Sequence, residues 1–356
     1  MPSTLPAGVT SRQVKTDRLD TQLLVSGPGD GVPVVFVHGN VSSGRFYAEL
    51  MASLPATIRA YAPDLRGFGG SETKPVDATR GVGDFADHLA ALLDALEIGT
   101  ADHPVHLVGW SVGGPVVQQL AMDRPQGVAS LILEAPMSPF GFGGTKGVDG
   151  QPCFDDWAGT GGGTANPDFV ARLGANDRSG DADTSPRKIL QNFYVKAGFS
   201  FPDGLEDAYL EAMLQTRTEP GNYPGDATAS DNWPTVAPGT VGVNNAISGK
   251  FCNIAAFADI QPKPPVLWIR GADDQIVSDT SLFDFGFLGQ LGAVPGWPGD
   301  EVFPAQPMIG QTRAVLDRYA ANGGTVREEV LADCGHSPHV EQAARFAELV
   351  VEWVSH

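Results

Sequence analysis

The feature that most constrains this fold is a serine set between two glycines, where an apolar run gives way to a helical pattern. The stretch PVHLVGWSVGGPVVQQL spans residues 104–120 and contains Gly109, Ser111 and Gly113. Its first half predicts a short buried strand, and the apolar residues of its second half recur at helical spacing. Glycines two positions before and after the serine suit a sharp strand-to-helix turn without room for a Cβ atom. Such a turn either exposes a nucleophilic serine or only joins two buried elements, and the rest of the chain has to decide.

Short β-branched runs alternate with amphipathic stretches through most of the chain. The run VPVVFVHGN is apolar at nearly every position, which is typical of a parallel strand covered on both faces. An opening hairpin is predicted around residues 18–20. Strands and helices then alternate to about residue 135, with one helix expected near residues 43–53. The alternation resumes at about residue 264 and ends with a C-terminal helix. This order predicts an α/β protein with a mostly parallel sheet and helices on both faces.

Two stretches rich in glycine and aromatic residues interrupt the alternation. Residues 136–263 contain the clusters FGFGGTKG and GTGGGT, and residues 281–304 form a further insertion before the helix predicted near residues 306–322. Ligands of open parallel sheets bind at the carboxyl ends of the strands. We therefore predict that residues 136–263 form a cap over that edge, on a core made of residues 1–135 and 264–356.

Charge and composition exclude several classes of partner. The chain of 356 residues has a formal net charge of −19, whereas nucleic-acid binding needs a basic surface. No apolar run reaches the roughly 18 residues of a membrane helix. The first twenty residues contain no continuous apolar stretch, so we expect no signal peptide and a cytoplasmic protein. Cys153, Cys252 and Cys334 lie far apart, which predicts reduced thiols and neither a disulfide framework nor a zinc site.

Three residue types of a hydrolytic triad follow predicted strands. A serine hydroxyl needs a base that accepts its proton. His336, in DCGHSPHVEQ, follows the last predicted strand and therefore lies at the same sheet edge as Ser111. Asp273 and Asp274 follow the strand VLWIRG. The chain order Ser, Asp, His favours a triad over unrelated structural residues. His339 is predicted inside the last helix, either behind the site or at the surface.

These motifs together resemble those of the α/β-hydrolase fold superfamily, in its capped form. The resemblance covers about residues 11–135 and 264–356 and rests on HGN, APDLRGFGGSE, GWSVGG, GADDQIV and the last GH. It implies an eight-stranded, mostly parallel sheet with an inserted cap. It also implies that the backbone N–H groups of Asn40 and Val112 stabilise an oxyanion.

The resemblance also ranks the candidate acids. In the pattern Gly-x-x-Asp-x-x-Val the acid is the fourth residue, which is Asp274, and Asp273 is expected to cap the turn. Some members of the superfamily take the acid from the end of an earlier strand, here Glu134 in LILEAP, so this residue is the alternative. His38 is expected to brace the oxyanion loop. HGNVSSGRFY also resembles a segment of haloalkane dehalogenases, but these enzymes and epoxide hydrolases attack with an aspartate where this chain has Ser111.

The sequence therefore predicts a cofactor-independent serine hydrolase without a metal that cleaves carboxylic esters of small or medium, partly apolar molecules. Lactone, amide, aminoacyl or carbon–carbon bond hydrolysis and peracid formation are alternatives for the same triad, and a non-catalytic ligand-binding protein is a further one. A homo-oligomer is compatible with the sequence. Four aromatic residues are candidates for the pocket wall: Trp110, Phe142, Trp157 and Trp233.

Overall fold

The computed structural model describes residues 4–355, and the segment before residue 135 supplies six strands of one large sheet. The strands are β1 (Thr10–Lys15), β2 (Asp20–Ser26), β3 (Val32–Val37), β4 (Ile58–Pro63), β5 (Val105–Trp110) and β6 (Val128–Glu134). The helices are α1 (Ala48–Ser53), α2 (Gly83–Ala95) and α3 (Gly113–Asp123). Strands β3, β5 and β6 are almost fully buried, as their apolar sequences predict for a sheet covered on both faces.

The segment between β6 and the next core strand contains short elements only. Its strands form two small antiparallel pairs, β7 (Thr145–Lys146) with β8 (Gln151–Pro152) and β9 (Ala227–Ala229) with β10 (Val236–Pro238). Its helices are α4 (Pro167–Gly174), α5 (Pro186–Ile189), α6 (Leu205–Leu214) and α7 (Val243–Ala246). A π-helical turn, Leu190–Tyr194, follows α5 directly.

The core alternation then resumes, as the sequence predicts. The remaining elements are β11 (Val266–Gly271), α8 (Phe285–Gln290), α9 (Met308–Ala321), β12 (Val326–Leu331), α10 (Pro338–Glu341) and α11 (Ala343–Val354). The strand order of the large sheet is β1-β2-β4-β3-β5-β6-β11-β12. The six strands β4, β3, β5, β6, β11 and β12 are mutually parallel. Strand β2 is antiparallel to both of its neighbours, β1 and β4. This confirms the predicted eight-stranded, mostly parallel sheet.

Helices lie on both faces of the sheet. Helix α1 contacts α11, and α2 contacts α3, which in turn packs on β5. The apolar side chains of these helices and of the strands form one continuous core. Among residues 4–355, no helix combines the length and the apolar character needed to cross a membrane.

Two predicted helices differ in detail from the structure. Residues 43–53, expected as one helix, form a 3₁₀ turn at Gly44–Tyr47 and then α1. His339 lies in α10, a separate helix that ends before α11 begins, and not inside the last helix. The chain breaks between them because Gln342 has a non-helical backbone, with φ −128° and ψ 51°.

Candidate active site

A cavity of about 330 Å³ lies where the strands β3, β5 and β12 end, between the sheet and the segment that follows β6. We call it the central cavity. Its wall consists of loops at the sheet edge, parts of the segment between β6 and β11, and parts of the 281–304 insertion. The residues that line it are Gly39, Asn40, Val41, Trp110, Ser111, Val112, Met137, Phe142, Gly161, Thr164, Ala165, Asn166, Phe169, Thr184, Ile189, Phe193, Tyr194, Tyr223, Asn244, Ile247, Ile276, Leu282, Phe283, Phe285, Leu288 and His336.

Ser111 occupies the sharp turn between β5 and α3. Its φ of 54° lies in the left-handed region that residues with a Cβ atom rarely adopt. The flanking glycines are required by contact: a Cβ atom on Gly109 would overlap the backbone of Gly113, and one on Gly113 would overlap the carbonyl of Val37. The Ser111 N–H donates to the Glu134 carbonyl at 2.9 Å, which ties the turn to β6. The serine is 7% exposed and lines the central cavity.

His336 and Asp274 form a buried pair beside the same cavity. Nδ1 of His336 lies 2.8 Å from Oδ2 of Asp274. The other carboxylate oxygen accepts the N–H groups of Ile276 and Val277, at 2.8 and 3.0 Å, so the carboxylate is held from both sides. Nδ1 therefore carries the proton, and Nε2 is left as an acceptor. Ser111 and His336 both line the central cavity, but no hydrogen bond joins their side chains.

Asp273, the neighbour of Asp274, makes different contacts. Its carboxylate forms a half-exposed ion pair with Lys196 at 2.9 Å. Its backbone N–H donates to the Cys334 carbonyl, also at 2.9 Å, and joins the loop after β11 to the loop after β12. The structure thus places Asp273 outside hydrogen-bonding distance of His336.

Glu134, the alternative acid, belongs to a second buried pair. Oε1 of Glu134 accepts both the His339 Nδ1 proton at 2.7 Å and the His339 backbone N–H at 2.9 Å. The Tyr47 hydroxyl donates to Oε2 at 3.2 Å. Burial and the neighbouring Glu134 carboxylate together raise the pKa of Tyr47 well above its ordinary value. Of the two positions expected for His339, the structure shows the buried one.

A carboxylate that the sequence reasoning missed holds the histidine loop. Glu341 accepts the backbone N–H groups of Gly335 and Ser337, on either side of His336, at 2.9 and 3.2 Å. It also accepts the Lys196 N–H at 2.7 Å, from the segment after β6. Burial raises the pKa of Glu341, and these backbone donors oppose the rise. The available sequence signal was a glutamate five residues after the histidine.

The backbone N–H groups of Asn40 and Val112 are free to bind an oxygen atom in the cavity. Neither has a hydrogen-bond acceptor among residues 4–355. The Asn40 carbonyl accepts the Tyr194 hydroxyl at 2.7 Å, which fixes this peptide against the π-helical turn. Gly39 must lack a side chain, because its Cβ atom would lie 2.9 Å from the Cβ atom of Ser111. The loop and the serine turn therefore meet at one wall of the cavity.

His38 is buried beneath this loop. Its Nε2 accepts the N–H of Leu65 at 2.8 Å, and burial lowers the pKa of His38 to about 4. Asp64, before Leu65, accepts the N–H groups of Gly44 and Gly70 at 2.7 and 2.8 Å. Burial raises the pKa of Asp64 to about 6. Both side chains connect the loops after β3 and β4, and neither lines the cavity.

Only two of the four predicted aromatic wall residues line the central cavity. These are Trp110, whose indole N–H donates to the His336 carbonyl at 2.7 Å, and Phe142. Trp157 packs against Gly249, and Trp233 meets Phe303 edge to face, with ring centroids 4.9 Å apart. Neither tryptophan lines the cavity, but Trp233 also contacts Phe285, which does. The wall residues that sequence reasoning did not name include residues of the π-helical turn and of the 281–304 insertion.

Comparison with known proteins identifies relatives across the whole chain. The sequence model of the alpha/beta hydrolase family matches residues 34–349. A 2-hydroxymuconate semialdehyde hydrolase of Pseudomonas sp. (strain CF600) is 37% identical over 330 residues, which are 92% of this chain and 88% of that protein. A pimeloyl-[acyl-carrier protein] methyl ester esterase of Aeromonas hydrophila is 30% identical over 134 residues, covering 37% of this chain and 44% of the relative. The esterase RhEst1 from Rhodococcus sp. ECU1013 superposes with a TM-score of 0.59 at 20% identity and 98% coverage of both chains.

Proposed function

This chain belongs to the alpha/beta hydrolase family, and from that premise we propose that it is a serine hydrolase that cleaves carboxylic esters of small or medium, partly apolar molecules. The observation that carries the proposal is the 2.8 Å contact between His336 and Asp274 at the cavity that Ser111 also lines. The nucleophile, base and orienting acid follow one another in the chain order of α/β-hydrolases, and each comes after a strand of the sheet.

In the proposed mechanism, Ser111 Oγ attacks the ester carbonyl while Nε2 of His336 accepts the hydroxyl proton. Asp274 holds the imidazole in the correct tautomer and stabilises its protonated form. The free N–H groups of Asn40 and Val112 donate to the oxyanion of the tetrahedral intermediate. His336 then gives the proton to the leaving alcohol, and a serine ester remains. Water, deprotonated by the same histidine, hydrolyses this acyl-enzyme and restores Ser111.

We further propose that residues 136–263 act as a cap on a core of residues 1–135 and 264–356. This segment supplies much of the cavity wall, including Phe142, Tyr194 and Tyr223. A wall built from loops and short helices determines which substrates fit, while the rigid sheet holds the reacting groups. No cofactor is required for this chemistry, and the partner is a small-molecule ester.

Carbon–carbon bond hydrolysis is the second candidate. It is favoured by the 2-hydroxymuconate semialdehyde hydrolase, whose similarity extends over 92% of this chain. The same serine, histidine and oxyanion donors would serve that reaction. A side-by-side assay of simple esters and of a 2-hydroxy-6-oxo-dienoate separates the two candidates.

The first experiment is active-site labelling with a fluorophosphonate, followed by hydrolysis of p-nitrophenyl butyrate. We expect the label on Ser111 alone and a loss of at least ~10³-fold in kcat for Ser111→Ala. Ser53→Ala is the matched control, because Ser53 is exposed and its hydroxyl only donates to the Leu50 carbonyl. A label on another serine, or full activity in Ser111→Ala, would contradict the mechanism.

A further inference from the structure

The central cavity has no charged side chain in its wall. Among the described residues that line it, none is an aspartate, glutamate, lysine or arginine. A carboxylate on a bound substrate would therefore lose its hydration without gaining a counter-ion, which costs several kcal/mol.

The charge of the whole chain acts in the same direction. The 42 acidic residues outnumber the 23 lysines and arginines, which gives the net charge of −19. A field of this sign slows the approach of anions and leaves neutral molecules unaffected. Both the entry of a carboxylate and its binding are thus disfavoured.

The wall does contain a group of neutral polar side chains. The Asn40 side-chain N–H donates to Oδ1 of Asn244 at 3.1 Å, which fixes the second carboxamide. Burial raises the pKa of Tyr223, and a hydrogen bond from the Asn244 side chain partly opposes this rise. The Asn244 side chain therefore lies close to the Tyr223 hydroxyl, and both residues line the cavity.

The Tyr223 hydroxyl lies beside these carboxamides and is available to a ligand. Tyr223 is 7% exposed and lines the cavity, and its O–H donates to no acceptor among residues 4–355. Its ring is held edge-on against Phe169, with centroids 6.4 Å apart. A hydroxyl that lines the cavity without a protein acceptor is available to donate to a bound molecule.

Resting on the proposed function, we infer that the cavity selects uncharged esters that carry a second hydrogen-bond acceptor, and that the Tyr223 hydroxyl donates to that acceptor. A second ester carbonyl, a ketone or an ether oxygen satisfies this requirement, and a carboxylate does not. Tyr223 is a specificity residue in this scheme, because it binds the part of the substrate that does not react.

Three esters of matched length test the inference. Dimethyl adipate is neutral and carries a second carbonyl, methyl octanoate lacks the second acceptor, and monomethyl adipate carries a carboxylate. For the parent enzyme we expect kcat/KM for monomethyl adipate to be at least ~100-fold below that for dimethyl adipate, corresponding to a few kcal/mol of desolvation.

The variant Tyr223→Phe tests the proposed donor. Loss of one neutral hydrogen bond should lower kcat/KM for dimethyl adipate by about tenfold and change that for methyl octanoate by less than about twofold. Tyr61→Phe is the control, because Tyr61 is also buried but does not line the cavity. Phe283→Lys gives a second test, because Phe283 lines the cavity but is 37% exposed, so that a lysine can be accommodated there. The added cation should raise the ratio of kcat/KM for monomethyl adipate to that for dimethyl adipate several-fold.

Each outcome bears on one of the two proposals. Equal rates on monomethyl and dimethyl adipate overturn the inference while the esterase assignment stands. Equal slowing of dimethyl adipate and methyl octanoate by Tyr223→Phe also overturns the inference, because it assigns Tyr223 to structure alone. If p-nitrophenyl butyrate and all three methyl esters are inert, the proposed function itself fails, and the inference fails with it.

Discussion

At the scale of single residues, three carboxylates are candidates for the triad acid, and each contacts a different partner. Asp274 contacts His336, Asp273 pairs with Lys196, and Glu134 pairs with His339. The resemblance ranks Asp274 first, and adjacent side chains at a strand end leave in different directions, so the two aspartates do not face His336 equally.

We therefore expect Asp274→Asn to lose up to ~10⁴-fold in kcat, because the imidazole is then held in the wrong tautomer. Asp273→Asn should remain within about tenfold of the parent, since it loses only an exposed ion pair. The measurement is kcat on p-nitrophenyl butyrate, with circular dichroism to show that each variant is folded. A folded Asp273→Asn that is the less active of the two would move the acid to Asp273.

Glu134→Gln is the informative third variant. The amide keeps one oxygen for His339 but places an N–H₂ group opposite either the histidine or the Tyr47 hydroxyl. Its effect should therefore fall on the midpoint of thermal unfolding, and kcat should stay within about tenfold of the parent. A folded Glu134→Gln with parental stability and ~10⁴-fold lower kcat would make Glu134 the acid.

At the scale of elements, the sequence predicts those strands, turns and loops that a local residue pattern determines. The turn around Ser111, the loop ending in His336 and the strands that lead into them are marked by glycines and apolar runs of fixed length. Sequence reasoning does not predict the break between α10 and α11, nor the contacts of Glu341 with backbone N–H groups of the histidine loop and of Lys196. A contact between residues far apart in sequence leaves no periodic signal.

Helix α8 in the 281–304 insertion supplies a pH-dependent prediction. Its N-terminal cap, Asp284, is 1% exposed and accepts the N–H groups of Phe287 and Gln306 at 3.2 and 3.0 Å. Burial raises the pKa of Asp284 from 3.8 to about 6. Between these values the folded protein binds more protons than the unfolded chain, so this group's contribution to stability is full below about pH 4 and is lost as the pH rises through 6.

Asp284→Asn removes this titration. The free energy of unfolding of the variant, relative to that of the parent, should therefore rise by roughly 1–1.5 kcal/mol between pH 5 and pH 8. Urea unfolding of both proteins at the two pH values measures the difference, and all other titrating groups cancel. Asp300→Asn serves as an exposed control and should show no such trend. If the unfolding free energy of the variant relative to the parent stays constant or falls as the pH rises, the raised pKa of the buried Asp284 carboxyl is contradicted.

At the scale of the whole molecule, the reacting groups and the cavity wall were predictable to very different degrees. The reacting groups stand on the sheet, whose strand ends are fixed by the fold. The wall is assembled from residues 136–263 and 281–304, whose contacts with each other are tertiary. Trp157 and Trp233 look like wall residues in the sequence, but their side chains pack behind it.

This difference leads to a paired prediction for substrate selection. Phe142 lines the cavity and is anchored by a backbone hydrogen bond to Ile247 at 2.9 Å, so Phe142→Ala enlarges the cavity without releasing the chain. We expect the ratio of kcat/KM for p-nitrophenyl octanoate to that for the acetate to rise by about tenfold, the effect of one or two better-accommodated methylene groups. Trp233→Phe keeps the aromatic packing behind the wall and should change the ratio by less than about twofold.

If the two variants shift the ratio equally, the wall is mobile enough to transmit changes from behind, and the division between lining and supporting residues is wrong. If Phe142→Ala slows the acetate and the octanoate by the same factor, Phe142 acts on the reacting groups and not on the acyl chain.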